Sequence, residues 1–281
     1  MKNLMISLLV IAFLPAGRQG AKANLTAQQF KGTATYQSQQ RVDIKMDSTM
    51  GDELQRSIQE QLRRQFQRTY TLNFDDKASL WKEEATLDKP DMASASGFKI
   101  VVSGNQDELY KNIKEKRYVR QSDMMGKVFL IKDSLEQSNW EFINETKNIG
   151  QYTCFKAVRK DTITTQHLED GDEAISETKE ERITTAWYTL DIPLQHGPDQ
   201  YWGCPGLILE INSGDLSYMC TKIVLNPEGP LVLEAPEKGK VVDEATYLKI
   251  SDEKAKEMME RYSAGKKRGK DSKSFSIRIG G

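Results

Sequence analysis

Few side chains in this sequence can serve as nucleophile, general base or soft metal ligand: three cysteines, Cys154, Cys204 and Cys220, and two histidines, His167 and His196. Cys204 and His196 stand eight residues apart across a loop rich in proline and glycine, a spacing that allows a Cys–His pair in which imidazole takes the thiol proton. With Met219 and Cys220 the same two residues form a soft-ligand set suited to copper. The plainer reading is stronger: Cys204 fills a packing site as a small hydrophobe and His196 decorates a turn. The cysteine separations match no CxxC zinc or redox pattern, and the chain has no GxSxG, HExxH, Walker loop or strand-following GxGxxG. We therefore expect no catalytic residue, no metal and no cofactor. Carboxylates abound, but an acid–base pair is defined by a separation that only a structure supplies. Tyr188, His196, Tyr201 and Trp202, gathered around the loop, are the candidate ligand contacts, although aromatic residues serve equally well as core.

The chain that must position these groups has 281 residues, 40 basic and 41 acidic, a formal charge of −1, 38% hydrophobic and 8% aromatic residues. Its mean hydropathy is −0.62. Charge this close to balance argues against nucleic acid as a partner, and the aromatic content argues against a fully disordered chain. Met1-Lys2-Asn3, the apolar run Leu4 to Ala16 and the small-x-small triplet Ala21-Lys22-Ala23 have the form of a secretory leader cleaved after Ala23. No later stretch reaches the roughly 18 apolar residues of a membrane span. The expected organisation is a leader over 1–23, one β-rich domain over 24–264 and a basic flexible tail over 265–281, secreted or periplasmic and monomeric.

Within the domain, Gly32 to Ser38 and Val42 to Ile44 read as an opening strand. Met50, Leu54, Ile58, Leu62 and Phe66 then recur every four residues behind Thr49-x-x-Asp52, predicting an inserted helix near 50–67 with Arg63, Arg64 and Arg68 late in it. From Tyr70 the period becomes two, and Asp75-Asp76-Lys77 turns a hairpin. Further strands are expected at 98–103, 117–121, 128–132, 140–145, 151–159, 182–192, 207–211 and 216–225. The acidic stretch 168–181 reads as a solvated hairpin tip; it lacks the alternating spacing and flanking helices of a calcium loop. Ser251 is placed to cap a helix near 252–264 with the stripe Ala255, Met258, Met259 and Tyr262, stopped by Gly265. The fold class is mainly β (α+β): a curved antiparallel meander forming an open barrel or two-layer sheet, with these two helices.

The most informative window runs from Ala186 to Ile211. Pro193 ends a strand, Gly197-Pro198 redirects the chain, and Cys204-Pro205-Gly206 has the order of a type II turn, with glycine at the positive-φ position. Leu207 to Ile211 is apolar on both faces, as in a strand covered from two sides. Gly203-Cys204-Pro205-Gly206-Leu207-Ile208 resembles the Gly-Leu-Pro-Gly-Leu-Ile signature of the GLPGLI family of exported bacterial proteins, with Cys204 in place of the first leucine. Trp140 with Glu145-Thr146-Lys147, Gly150 to Ala157, Ala186 to Thr189, and Ile192-Pro193 before Gly197-Pro198 extend the likeness. The resemblance implies a secreted or periplasmic protein of Bacteroidota-type bacteria, encoded near TonB-dependent receptor systems and without an established activity. The thiol at 204 raises the question of a pair with Cys220. A loop at Ser213-Gly214 would set Cys204 opposite Ile223 instead, and Cys154 is an alternative partner for either.

The function expected is a non-enzymatic binding or accessory module of the cell envelope, its partner an outer-membrane receptor or an apolar or extended ligand. The alternatives are a secreted hydrolase with an unrecognised site and a copper-binding protein.

Overall fold

The structure, a computed structural model, describes residues 30–41, 66–85, 107–167 and 176–266. The strands are β1 (Gly32–Gln40), β2 (Arg68–Phe74), β3 (Ala78–Glu83), β4 (Glu108–Asn112), β5 (Arg117–Met124), β6 (Lys127–Ser134), β7 (Glu141–Ile149), β8 (Tyr152–His167), β9 (Ser176–Thr189), β10 (Leu207–Ser213), β11 (Leu216–Leu225) and β12 (Lys240–Val242), followed by the helix α1 (Glu244–Lys266). They form one open sheet in the order β12-β6-β5-β4-β3-β2-β1-β11-β10-β9-β8-β7. Every pairing is antiparallel except β12 with β6. The protein is thus mainly β, as expected, its curved and mostly antiparallel strands forming one continuous open sheet with one C-terminal helix.

The sheet curls strongly. β3 and β11 lie three strand positions apart, about 14 Å in a flat sheet, yet the rings of Trp81 and Tyr218 meet at 5.4 Å between centroids. Tyr70 stacks on Trp81 at 4.7 Å and meets Tyr218 edge-on at 5.9 Å, joining β2 to both. One core lies inside the curl, drawn from Ala34, Tyr36, Leu72, Trp81 and Leu109 on one side and Ala157, Ala186, Ile208 and Ile211 on the other. A smaller cluster, Ala78, Leu80, Tyr110, Val119 and Leu130, packs on the outer face under Leu233 and Ala235.

β10 is buried at every position but Asn212, which agrees with a doubly covered central strand. Its register with β9 shifts between Ile208 and Glu210, so Leu209 is a bulged residue. The Tyr36 hydroxyl, buried across the curl, donates to the Ile208 carbonyl at 2.6 Å. β10 turns into β11 at Gly214-Asp215, with Ser213 facing Leu216, one residue beyond the loop read from the sequence.

Several boundaries differ from expectation for local reasons. Asp243, not Ser251, caps α1: its carboxylate accepts the Thr246 N–H at 2.8 Å and its carbonyl the Tyr247 N–H at 3.0 Å. The helix therefore begins eight residues before 252, and it continues through Gly265 to Lys266. Arg68, read as the end of the inserted helix, opens β2. Residues 176–181, read as hairpin tip, are strand paired to β8 as far as His167–Ser176. β4 and β12 were not foreseen. The leader over 1–23, the inserted helix up to residue 65, the strand at 98–103 and the tail beyond 266 lie outside the described residues. Among the described residues, no helix is long and apolar enough to cross a membrane.

Candidate functional site

The segment 190–206 leaves β9, enters the curl and returns as β10. It behaves as part of the sheet: the Leu207 N–H donates to the Ile192 carbonyl at 2.9 Å and the Ile208 N–H to the His196 carbonyl at 3.0 Å. The turn at its end differs in kind from the sequence reading. Gly206 does not adopt a positive φ; a Cβ placed on it would lie 1.8 Å from the Thr189 carbonyl oxygen, so glycine is required by close approach. The positive φ, 94°, belongs to Gly203.

Lys111, on β4, pins this segment. Its fully buried ammonium donates to the carbonyls of Gly197 at 2.9 Å, Tyr201 at 3.3 Å and Asp199, matching its three protons to three acceptors. Burial pushes its pKa down to about 7, against the pull of the nearby Asp199 carboxylate. On the far side, Arg159 lies between the rings of Trp140 and Tyr201, at 5.4 and 5.5 Å from their centroids. The Trp140 indole N–H donates to the Trp202 carbonyl at 2.8 Å.

The candidate contacts from the sequence are all structural neighbours of this segment. Tyr188, Tyr201, Trp202 and His196 are each less than a tenth exposed. Tyr188 packs against Phe142 and Phe155. His196 Nε2 donates to the Asp75 carbonyl at 2.9 Å, which leaves Nδ1 as a buried acceptor with no protein partner. Cys204 is fully buried, and all three cysteines are free thiols. Burial pushes Cys204 and Cys220 up to about 12 and Cys154 up to about 11, so none is a ready thiolate. Met219 is 40% exposed while His196 is enclosed, and among the described residues no three His, Cys, Asp or Glu side chains converge as a metal group.

His196 predicts an acid sensitivity. Burial first, then the Lys111 charge, lowers its pKa from 6.5 to about 4. Below the unfolded value the unfolded chain takes up a proton that the folded chain refuses. The stabilisation is therefore complete above pH 6.5 and drains away toward pH 4, by roughly 3 kcal/mol across the window. Chemical denaturation at pH 7 and near pH 4.5 should show this loss in the wild type and a smaller one in His196→Gln.

A second group of polar residues gathers at the end of the curl where β1 and β3 finish and β2 and β4 begin. Asp199, in the left-handed region at φ 48°, meets the Tyr218 hydroxyl through a hydrogen bond, and its charge reaches Tyr70 and Asp107. Asp107 accepts the Ser122 hydroxyl at 3.0 Å through Oδ2, while Oδ1 is buried without a partner. Burial is the leading cause that raises both carboxyls above their ordinary range. Lys111, held on its three carbonyls, and Arg120, whose guanidinium also donates to Glu244 at 2.7 and 2.9 Å, offset this rise only in part. Neither carboxyl has an ion-pair partner among the described residues. Sequence reasoning missed this cluster; the one local signal was Gly197-Pro198-Asp199, a turn in which aspartate tolerates positive φ.

Residues 140–210 match the model of a protein family of unknown function, Porph_ging. The Porph_ging span runs from Trp140 through β7, β8, β9 and the inward segment to Glu210 of β10, and the motif at 203–208 falls inside it. It contains Arg159, His196 and Asp199, whereas Lys111, Asp107, Tyr70 and Tyr218 lie outside it. No curated protein matches the chain. Two crystal forms of PNGF-II, in space groups C2 and P21, are similar with TM-scores of 0.45, at 14% and 15% identity over 79% of this chain. The chain spans about a third of their length, 32% and 33%.

Proposed function

We propose that the protein is an exported, non-enzymatic binding module of the cell envelope, and that it holds its ligand at the end of the curl where Asp107, Asp199, Tyr70 and Tyr218 converge. The observation that carries this reading is the pair of half-buried carboxyls, raised by burial and joined to no salt bridge among the described residues although Lys111 and Arg120 act on them from a distance. Such an arrangement costs stability, and sites that keep it tend to use it. Of the expected occupants, an extended ligand bearing hydrogen-bond donors or positive charge suits these groups better than a purely apolar one. An outer-membrane receptor presenting such a segment, in a TonB-dependent system, fits the same chemistry. The raised carboxyls are also what a hydrolase with an acid–base pair would need, which keeps that as the second reading.

The test is Asp107→Asn with Asp199→Asn, which keeps one acceptor oxygen at each position, turns the other into an N–H donor and removes the charge. A carboxyl whose folded pKa is raised stabilises the fold most below its unfolded value, and that contribution is lost as pH rises through the folded pKa. At neutral pH the double variant should therefore melt no lower than the wild type and up to a few degrees higher. Native mass spectrometry of protein recovered from its own envelope should find a non-covalent companion on the wild type that the variant lacks. Equal loading of the two, or no companion on either, would refute binding at this place. A companion that emerges chemically cleaved would favour the hydrolase.

A further inference from the structure

We infer that the proposed ligand site takes the free amino terminus of a peptide, with its ammonium on Asp107 and Asp199 and the neighbouring carbonyl on Arg120. Two orphaned atoms carry the inference. Asp107 Oδ1 is a buried acceptor and Arg120 Nε a buried donor, and neither meets a hydrogen-bond partner among the described residues. Both stand on the same face of the sheet. Glu108 of β4 faces Gln121 of β5, so Asp107, one residue earlier, comes opposite Ser122, whose hydroxyl donates to its Oδ2 at 3.0 Å. Arg120 is two residues from Ser122 along β5, hence on that same face and about 7 Å away. Buried polar groups are nearly always paired, and one occupant that offers a donor and an acceptor a few ångströms apart satisfies both atoms.

The first turn of α1 holds both groups in place. Arg120 Nη2 is clamped by the two carboxylate oxygens of Glu244, at 2.7 and 2.9 Å, and the guanidinium lies 5.2 Å from the centre of the Tyr247 ring. The Tyr247 hydroxyl meets that of Ser122 at 3.0 Å, and because Ser122 gives its own proton to Asp107, the tyrosine is the donor there. This relay fills Asp107 Oδ2 and leaves Oδ1 for an incoming donor. Asp107 and Asp199 are half-buried and the Arg120 side chain is 27% exposed, so a chain end reaches them from solvent. Among groups that set a donor beside an acceptor, a free amino terminus suits the charges best. Its ammonium brings three donors and a positive charge to two carboxyls whose ionised form burial disfavours. The carbonyl of the same residue supplies the acceptor for Arg120. An internal peptide group lacks the charge, and a lysine side chain has no carbonyl beside its ammonium.

The inference rests on the ligand site proposed above, and small probes test it apart from that reading. In a nitrogen–proton correlation spectrum of the full chain, the Arg120 Nε–H signal is identified by its loss in Arg120→Lys. Triglycine amide should shift this signal saturably in the wild type. N-acetyl-triglycine amide, which lacks the ammonium, and ethylammonium, which lacks the carbonyl, should each bind at least about tenfold more weakly, the loss expected for one hydrogen bond to a charged group. Arg120→Lys, followed at the Ser122 amide, should bind triglycine amide no better than ethylammonium. Ethylammonium binding as tightly as triglycine amide in the wild type would overturn the inference and leave a plain cation site. Equal binding of the acetylated peptide would overturn it in favour of an uncharged amide. Binding of none of the three would overturn it as well, whereas the reading beneath it stands or falls on the companion found by native mass spectrometry.

Discussion

Gly206→Ala should abolish the folded protein. The added Cβ would sit 1.8 Å from the Thr189 carbonyl oxygen and 2.7 Å from its carbon, and both are backbone atoms of β9 that no rotamer change can move. To relieve the overlap, β10 must part from β9 at the rung where Leu207 faces Thr189, and the inward segment must follow. We expect a loss of more than about 4 kcal/mol, in the range reserved for failures of backbone or core. Gly203→Ala is the internal control. Its Cβ would find ordinary contact distances, 3.8 Å to Ser138 and Trp140, but would have to adopt φ 94°, a strain of about 1–3 kcal/mol. Urea denaturation of the two variants separates them: a measurable midpoint for Gly203→Ala and no cooperative transition for Gly206→Ala. A Gly206→Ala protein as stable as the wild type would mean that the approach of β10 to Thr189 is wrong.

Lys111→Met should lower stability by about 3–5 kcal/mol, the cost of breaking a buried charged network from one side. Methionine matches the stem in length and apolar character but leaves the carbonyls of Gly197, Asp199 and Tyr201 without their donor inside the curl, each at a cost of about 1–3 kcal/mol. Burial of the ammonium disfavours its charge, which offsets part of that loss and places the estimate below the simple sum. Lys111→Arg should fail to rescue, because a planar guanidinium cannot aim three donors at carbonyls spread along one loop. The expected result is a lowered urea midpoint for both variants. A Met variant equal to the wild type would show that the ammonium does not hold the segment.

How much of this was legible in the residues depended on range. Alternation marked β2, the Asp75-Asp76-Lys77 turn announced β3 behind it, and the run Leu207 to Ile211 correctly announced a strand covered on both sides, because these signals are written within a few neighbouring residues. β4 escaped: Glu108-Leu109-Tyr110-Lys111-Asn112 buries Lys111 and Asn112 together with Leu109 and Tyr110. Polarity there says exposed while the curl says inside. The cap of α1 was misplaced because both Asp243 and Ser251 are good capping residues, and what selects the earlier one is Glu244 docking on Arg120, a contact across 124 positions. The same holds for the proposed ligand site. Asp107, Asp199, Tyr70 and Tyr218 are far apart in sequence and meet only because the sheet curls. Tyr188, His196, Tyr201 and Trp202 could be named from the sequence because they crowd one loop, and the structure encloses them as its support.

The account rests on the inward segment and β10 being one rigid unit, and hydrogen exchange at single-amide resolution measures that directly. In the wild type, the amides of Leu207 and Ile208, bonded to Ile192 and His196, should exchange as slowly as those of Ala157 and Ala186 in the β8–β9 ladder, opening only with the whole molecule. Exchange at Leu207 and Ile208 as fast as in the exposed edge strand β7 would contradict the account, since the interior of the curl and the site at its end would then have nothing fixed to build on.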